Sequence, residues 1–548
     1  MRNRISKAAL LPAILVLALA PLWASGGKEA ASAPAGKASS DPLGKYEPGI
    51  VVTTAQAVDD TFKFPKGDSI ENNVWTREYK DALGITVNYA WLVSTGTQYE
   101  EKVNVVIASG DLPDFLRVNK TQLARLAKTD LIRKDLQDIY QKNAAPFLDS
   151  IAKQEGTTAF DAATFSGNLI GLPSTGSSID GAPMLWLRVD WLDKLGLKAP
   201  ATYDEFLKVL DAFVSKDPAG TGKADYVGLA LNKDLTGGYA GYEGFANMLG
   251  AYPTIWVQKD GKLVYGSYQP EMRKVLQELQ KLYAAGKIDK EFAVKDGGKV
   301  SELSVNGRNG MQFGQMWNPL WPLQANKDLD PKADWQAFAL PGSAKAQISL
   351  GTGAWYVVNK KAKNPEALVK MLNLQTERFW GATSNPPKFM AGNIDGAFYE
   401  YHKFSIFTAW PAYKNLTIYR KIVDALKSGN TSAMNPEEVD MFTRNDKFKK
   451  GDNKEWGYAR VFGELGSFKT MESYVQGKSF MMNAFYGADT PTQAAKWSSI
   501  YKLEQETFAK IIMGDNIGEF DKFVESVKKL GYSDIEKEVN DWYATAKK

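Results

Sequence analysis

Few side chains in this chain can do covalent chemistry, and that narrows its function at once. One histidine, His402, stands between Tyr401 and Lys403 and there is no cysteine, so neither a His-rich zinc site nor an HExxH helix can form. No GxSxG is present, which removes the usual serine-hydrolase elbow. The run Gly220-Thr221-Gly222-Lys223-Ala224 imitates a phosphate loop. It lacks the first glycine, and Ala224 stands where a hydroxyl would hold magnesium. Recognition chemistry is better represented. Fifteen Trp and 24 Tyr residues supply flat apolar faces with a polar edge, which match sugar rings. Tyr239, Tyr242 and Glu243 lie in the Gly-rich loop TGGYAGYEGF, which suits close ligand approach. Trp317 and Asn318 open the segment WNPLW after an apolar, strand-like run from 310. Trp186 and Arg188 share another apolar strand, where Arg188 faces either a ligand carboxylate or an internal one. Trp355 and Trp410 complete the aromatic candidates.

The elements that must position these residues alternate. A strand is expected over 50–54, a helix over 72–83 closed by Gly84, a strand over 85–91, and a helix opened by Thr97 and Glu100 that stops at Gly110. A third strand follows over 115–118, with Asn119 just beyond its end. This order predicts an α/β fold with crossover helices. Later helices are expected from Thr202, whose capping partner is Glu205, from Pro270 to Gly286, and over 491–513 and 519–530. Ligands of such sheets bind beyond the strand ends, at loops and helix N-termini.

Arg2, Arg4 and Lys7 precede an apolar stretch over 8–20, and Leu22-Trp23-Ala24 offers a cleavage site. Residues 1–24 therefore read as a signal peptide. Residues 25–46, rich in Gly, Ala, Ser and Pro, read as a disordered linker. Removing the leader's three positive charges from a net +4 leaves about +1, a balance that argues against nucleic-acid or polybasic membrane partners.

The run from 171 to 228 (GLPSTGSSIDGAPMLWLRVDWLDKLGLKAPATYDEFLKVLDAFVSKDPAGTGKADYVG) orders a Gly/Pro crossing, an apolar strand, a helix and a polar turn. It resembles the start of the second lobe in extracellular solute-binding proteins of family 1, in their long, oligosaccharide-type form. The resemblance implies a two-lobe, type II-like periplasmic-binding fold with crossings near 171–174, 303–310 and 345–353. Lobe 1 would comprise 47–172 and 306–349, and lobe 2 would comprise 173–305 and 350–548. It also implies capture of an oligosaccharide without catalysis and delivery to ABC permease transmembrane subunits. A monomer is expected, and with Ser25 in the place of the family's lipidated cysteine the exported protein would be periplasmic.

By the same resemblance Asn72, Asn73 and Trp75 fall where ligand contacts occur. Asp114 faces the ligand or caps local N–H groups, Asn119 contacts the ligand, and Trp317 stacks on a sugar ring. Asp217 and Asp225 bracket what resembles the family's calcium loop. Ala219 and Thr221 replace two of its ligands, so no cofactor is expected and calcium would bind weakly. Two other readings stay open. A secreted polysaccharide-degrading enzyme needs only two placed carboxylates, and a binder of peptides or other polar solutes would use a similar cleft.

Overall fold

A computed structural model of the protein describes residues 40–59, 61–222, 225–394 and 396–546. The expected signal peptide and most of the expected linker lie outside the described residues. The chain forms two α/β lobes, each with its own core.

The first lobe starts with the strand Ile50–Ala57, which runs parallel to Ile85–Val93. The helix Val74–Leu83 makes the crossover between them and ends at Gly84. The next helix, Gly96–Ser109, is capped by Thr95 rather than Thr97, so its start lies earlier than the sequence suggests. Phe115–Val118 pairs with a strand from far along the chain, Ala354–Val358, which also pairs with Leu172–Ser174. Both pairings are antiparallel, because the third strand arrives from the other lobe. The core of this lobe draws on residues 46–172 and 355–409, with Trp75, Phe115, Trp355 and Phe404 buried in it.

The second lobe is organised on Met184–Arg188, which lies between Met311–Gly314 and Trp335–Phe338. All five of its residues are buried, as expected of a central strand covered on both faces. The helix Tyr203–Ser215 begins as read: Thr202 Oγ1 accepts the Glu205 N–H at 3.2 Å. Helices Pro270–Ala284 and Pro491–Met513 pack against each other in the core of this lobe. Gly518–Val527 then gives way, across a kink at Gly531, to a final helix, Ser533–Ala546, not expected from the sequence.

These cores correct the expected division of the chain. Residues 311–348 pack in the second lobe, and 355–409 pack in the first. Only from 416 onward does the chain rejoin the second core. The expected crossing at 303–310 is instead the turn between the helix Gly297–Val305 and the strand Met311–Gly314. An apolar strand preceded by Gly307 and Gly310 reads like a hinge exit, but its hydrogen-bonding edge is Met184–Arg188. The chain therefore passes between lobes near 174–178, near 349–353 and near 409–415.

The first two connections touch at backbone distance. A Cβ on Gly351 would stand 2.5 Å from the Ser177 carbonyl carbon, and one on Gly176 would stand 2.7 Å from Gly351 O. Only glycine fits there. Ser178 ties the crossing together: its hydroxyl accepts the Gly351 N–H at 2.8 Å and donates to Glu155 Oε2 at 2.5 Å. The third connection joins through Thr175 Oγ1, which donates to Trp410 O at 2.9 Å.

Candidate functional site

Each lobe carries a recess that runs up to these connections. On the second lobe, Ser177, Ser178, Glu243, Phe313, Gln315 and Ser349 are among the lining residues. Beside it, against Gly238 and Gln315, stands an aromatic shelf. Gly238 O accepts from Gln315 N and from Asn318 Nδ2, each at 2.9 Å. This brings the Gly-rich loop against the segment after Met311–Gly314. A Cβ on Gly238 would lie 2.6 Å from both Trp317 Cζ2 and Gln315 Oε1, so the indole rests on a position that only glycine can occupy. Trp317 Nε1 donates to Gln315 Oε1 at 2.9 Å. Its ring stacks with Trp321 at 6.0 Å and 28°, and Tyr239 supports Trp321 edge-on at 5.4 Å. Trp317 is half-buried and Trp321 is 45% exposed, so the stacked pair presents an apolar plane beside polar groups.

Glu243 backs the same loop. Its Oε1 accepts the Gly237 N–H at 2.9 Å, and burial pushes its carboxyl up to about 7. The recess on the first lobe includes Thr54, Glu100, Arg117, His402, Lys403 and Trp410 among its walls. Trp410 is half-buried and packs edge-on against Trp380 at 5.2 Å. His402 packs beside it with Nδ1 3.2 Å from Met390 O, and burial lowers its pKa, favouring the neutral ring.

Several candidates prove to be scaffold. Trp75, Trp186 and Trp355 are core residues with at most 1% exposure. Trp75 Nε1 donates to Phe389 O and Trp355 Nε1 to Ala159 O. Asn73 is the cap of Val74–Leu83, its Oδ1 taken by the Trp75 and Thr76 N–H groups. Asn72 is exposed, bonds to Arg77, and lines neither recess.

Asp114 takes the local of its two roles: Oδ2 accepts from Thr53 N and Oγ1, both at 2.8 Å. Asn119 caps Lys120–Ala127 and donates to Glu100 Oε2 at 2.6 Å, so it positions a wall residue instead of forming the wall. Asn318 is fully buried between Gln312 and Gly238. Tyr239 and Tyr242 turn inward, where the Tyr239 hydroxyl meets Ser304 Oγ at 2.7 Å and Tyr242 joins the core. Arg188 is internal too, held by Asp190, Asp330 and Asn326 and lying over Trp191.

Of the expected contacts, Trp317, Glu243 and Trp410 remain beside the recesses. Trp321, Gln315, Glu100 and Arg117 join them. Of these, Trp321 carried a readable cue, a second indole four residues after Trp317.

In the Asp217 loop, the carboxylate is occupied by the Tyr226 hydroxyl and the Gly222 and Thr221 N–H groups, which hold its pKa down to about 2. Asp225 pairs with Arg308. No group of three or more His, Cys, Asp or Glu side chains suited to a metal occurs among the described residues.

Residues 61–377 match the family model of bacterial extracellular solute-binding proteins. The chain belongs to that family. Over 329 residues it is 30% identical to the fructooligosaccharide ABC transporter substrate-binding protein FusA of Streptococcus pneumoniae, covering 56% of this chain and 57% of FusA. Over 224 residues it is 28% identical to the polygalacturonan/rhamnogalacturonan-binding protein YtcQ of Bacillus subtilis, covering 40% and 44%. The chain thus spans about half the length of these curated relatives. A crystal structure of an extracellular solute-binding protein from Bifidobacterium longum subsp. infantis shares the fold, with a TM-score of 0.62, 17% identity, and 91% of this chain and 99% of that one covered. The family and these relatives are binding proteins. Among the described residues no helix is long and apolar enough to cross a membrane.

Proposed function

We propose that this protein captures an oligosaccharide between its two lobes and delivers it to the transmembrane subunits of an ABC importer. The observation that carries the reading is the Trp317–Trp321 shelf beside the hinge-side recess of one lobe. Trp410 lines the recess of the other lobe, where it reaches the third connection. Indole planes match the apolar faces of sugar rings, while Gln315, Glu100, Arg117 and the hinge serines match hydroxyl rims. Micromolar capture corresponds to about −8 kcal/mol, which a few stacked rings and hydrogen bonds supply while leaving the ligand releasable. FusA and YtcQ, by their names, bind oligo- and polysaccharides, which supports a sugar over a peptide. The protein acts outside the cytoplasm as a monomer, without a cofactor and without nucleic-acid partners. Calorimetric titration with a panel of neutral and acidic oligosaccharides, followed by chromatography of the recovered sugar, tests this. Saturable binding with unaltered sugar is expected; shortened products would make the protein an enzyme, and binding only of peptides would replace the ligand class.

A further inference from the structure

Among the described residues, Arg117 is the one arginine whose guanidinium neither pairs with a carboxylate nor donates a hydrogen bond; the other ten are engaged. It is exposed on the strand Phe115–Val118, whose other three residues are buried, and it stands in the wall of the first-lobe recess. A lone guanidinium in a binding cleft invites an acidic ligand, yet its surroundings speak against one. Glu100 lines the same recess with Oε2 held by Asn119, while Oε1 has no protein partner. Lys403, the other cation there, is paired with Glu400 at 2.5 Å and donates to Thr61. His402 is packed with its Nδ1 at a carbonyl. On the second lobe the one charged wall residue is Glu243, with Oε1 taken by Gly237 and Oε2 free.

The walls therefore hold two acidic side chains with a free oxygen, Glu100 and the Glu243 whose ionisation burial opposes, against one free cation. Free carboxylate oxygens need donors. A sugar hydroxyl donates and accepts, so a diol can accept from Arg117 while donating to Glu100. An ionised uronate offers its carboxylate only as an acceptor, meets the like charge of Glu100 on the first-lobe wall, and finds no cation on the second-lobe wall. We infer that the cleft selects electrically neutral oligosaccharides, recognised through their hydroxyls by Arg117 and Glu100, and rejects polyuronates. This rests on the oligosaccharide reading above and adds the substrate class.

The test is titration of the whole mature protein with kestose, maltotetraose, xylotetraose and mannotetraose as neutral probes and with trigalacturonate as the acidic one. At least one neutral probe should bind at least about 30-fold (about 2 kcal/mol) more tightly than trigalacturonate. Its Kd should change less than about twofold between about 20 and 500 mM NaCl, since no net charge is being screened. Arg117→Gln should weaken that probe about tenfold or more, and Glu100→Gln should narrow the neutral-to-acidic gap about tenfold by removing the repelling charge. Trigalacturonate binding more tightly than every neutral probe, with affinity falling as salt rises, overturns the inference and leaves the oligosaccharide reading standing. Binding of neither class by a protein that still unfolds cooperatively overturns both.

Discussion

Glu504 offers the sharpest check on the packing of the second lobe. It lies on the helix Pro491–Met513 at 2% exposure, and its Oε2 accepts no hydrogen bond. Burial outweighs the nearby Ser267 and Tyr268 hydroxyls and pushes its carboxyl from 4.5 up to about 7. A carboxyl whose folded value exceeds its unfolded value favours the folded state fully only below the unfolded value. That advantage is lost as pH rises through the folded value. With each pKa unit equal to about 1.4 kcal/mol, the carboxyl penalises folding by about 3 kcal/mol at pH 8 and by about 1 kcal/mol at pH 5. Glu504→Gln keeps the shape and removes the ionisation. Any cost of the extra amide hydrogens is common to both pH values, so the difference is the signal. Relative to wild type, the variant should gain about 2 kcal/mol between pH 5 and pH 8 in equilibrium urea unfolding. An equal stability change at the two pH values would mean that Glu504 is ionised and satisfied in the folded protein, and the reasoning fails.

Trp317→Ala should weaken oligosaccharide binding about a hundredfold, or about 3 kcal/mol, and lower stability by less than a fully buried tryptophan does, because the indole is only half-buried. Unchanged affinity in calorimetry would take it out of the site. Trp355→Ala, by contrast, removes a core residue with 1% exposure. It should cost about 3–5 kcal/mol of first-lobe stability in denaturant; a melting curve like that of wild type would contradict the placement. Calcium at millimolar concentration should leave the thermal midpoint where chelator puts it, since Asp217 is already satisfied by Tyr226 and backbone N–H groups. A rise of many degrees would show that carbonyls and waters complete the loop.

What could be read from the sequence was mostly local. Thr202 as a helix cap and Pro270 and Pro491 as helix starts depend on groups within one turn, and all three stand where expected. The exchange of strands between lobes was not legible, because the partner of Met311–Gly314 lies more than a hundred residues away and its own composition suits either sheet. Side-chain chemistry also fails to say which way a residue faces. Asn73 has the donors and acceptors of a sugar contact and spends them on a helix N-terminus. Trp186 sits on a strand buried on both faces, where alternation gives no inward or outward sign. Arg117 was missed for the opposite reason: a four-residue strand is too short for its single exposed position to stand out.

The hinge follows from how the two cores are built. No residue belongs to both, and beyond the connections the second lobe reaches the first core through Tyr486, so a rotation of one lobe against the other leaves each buried core in place. The polar ties between the lobes include Glu155 to Ser178 and Tyr413 N to Gln154 close to the connections, and the exposed Lys120–Asp489 pair away from them. Bending is therefore concentrated where Gly176 and Gly351 let two strands touch, and the rest of each lobe moves as a body. A ligand closes such a pair of lobes only by contacts it makes to both. In the function proposed above, Arg117, Glu100 and Trp410 on one side and Trp317, Trp321 and Glu243 on the other would supply that requirement. Deleting a contact on either lobe should therefore weaken binding even when the opposite half-site is untouched.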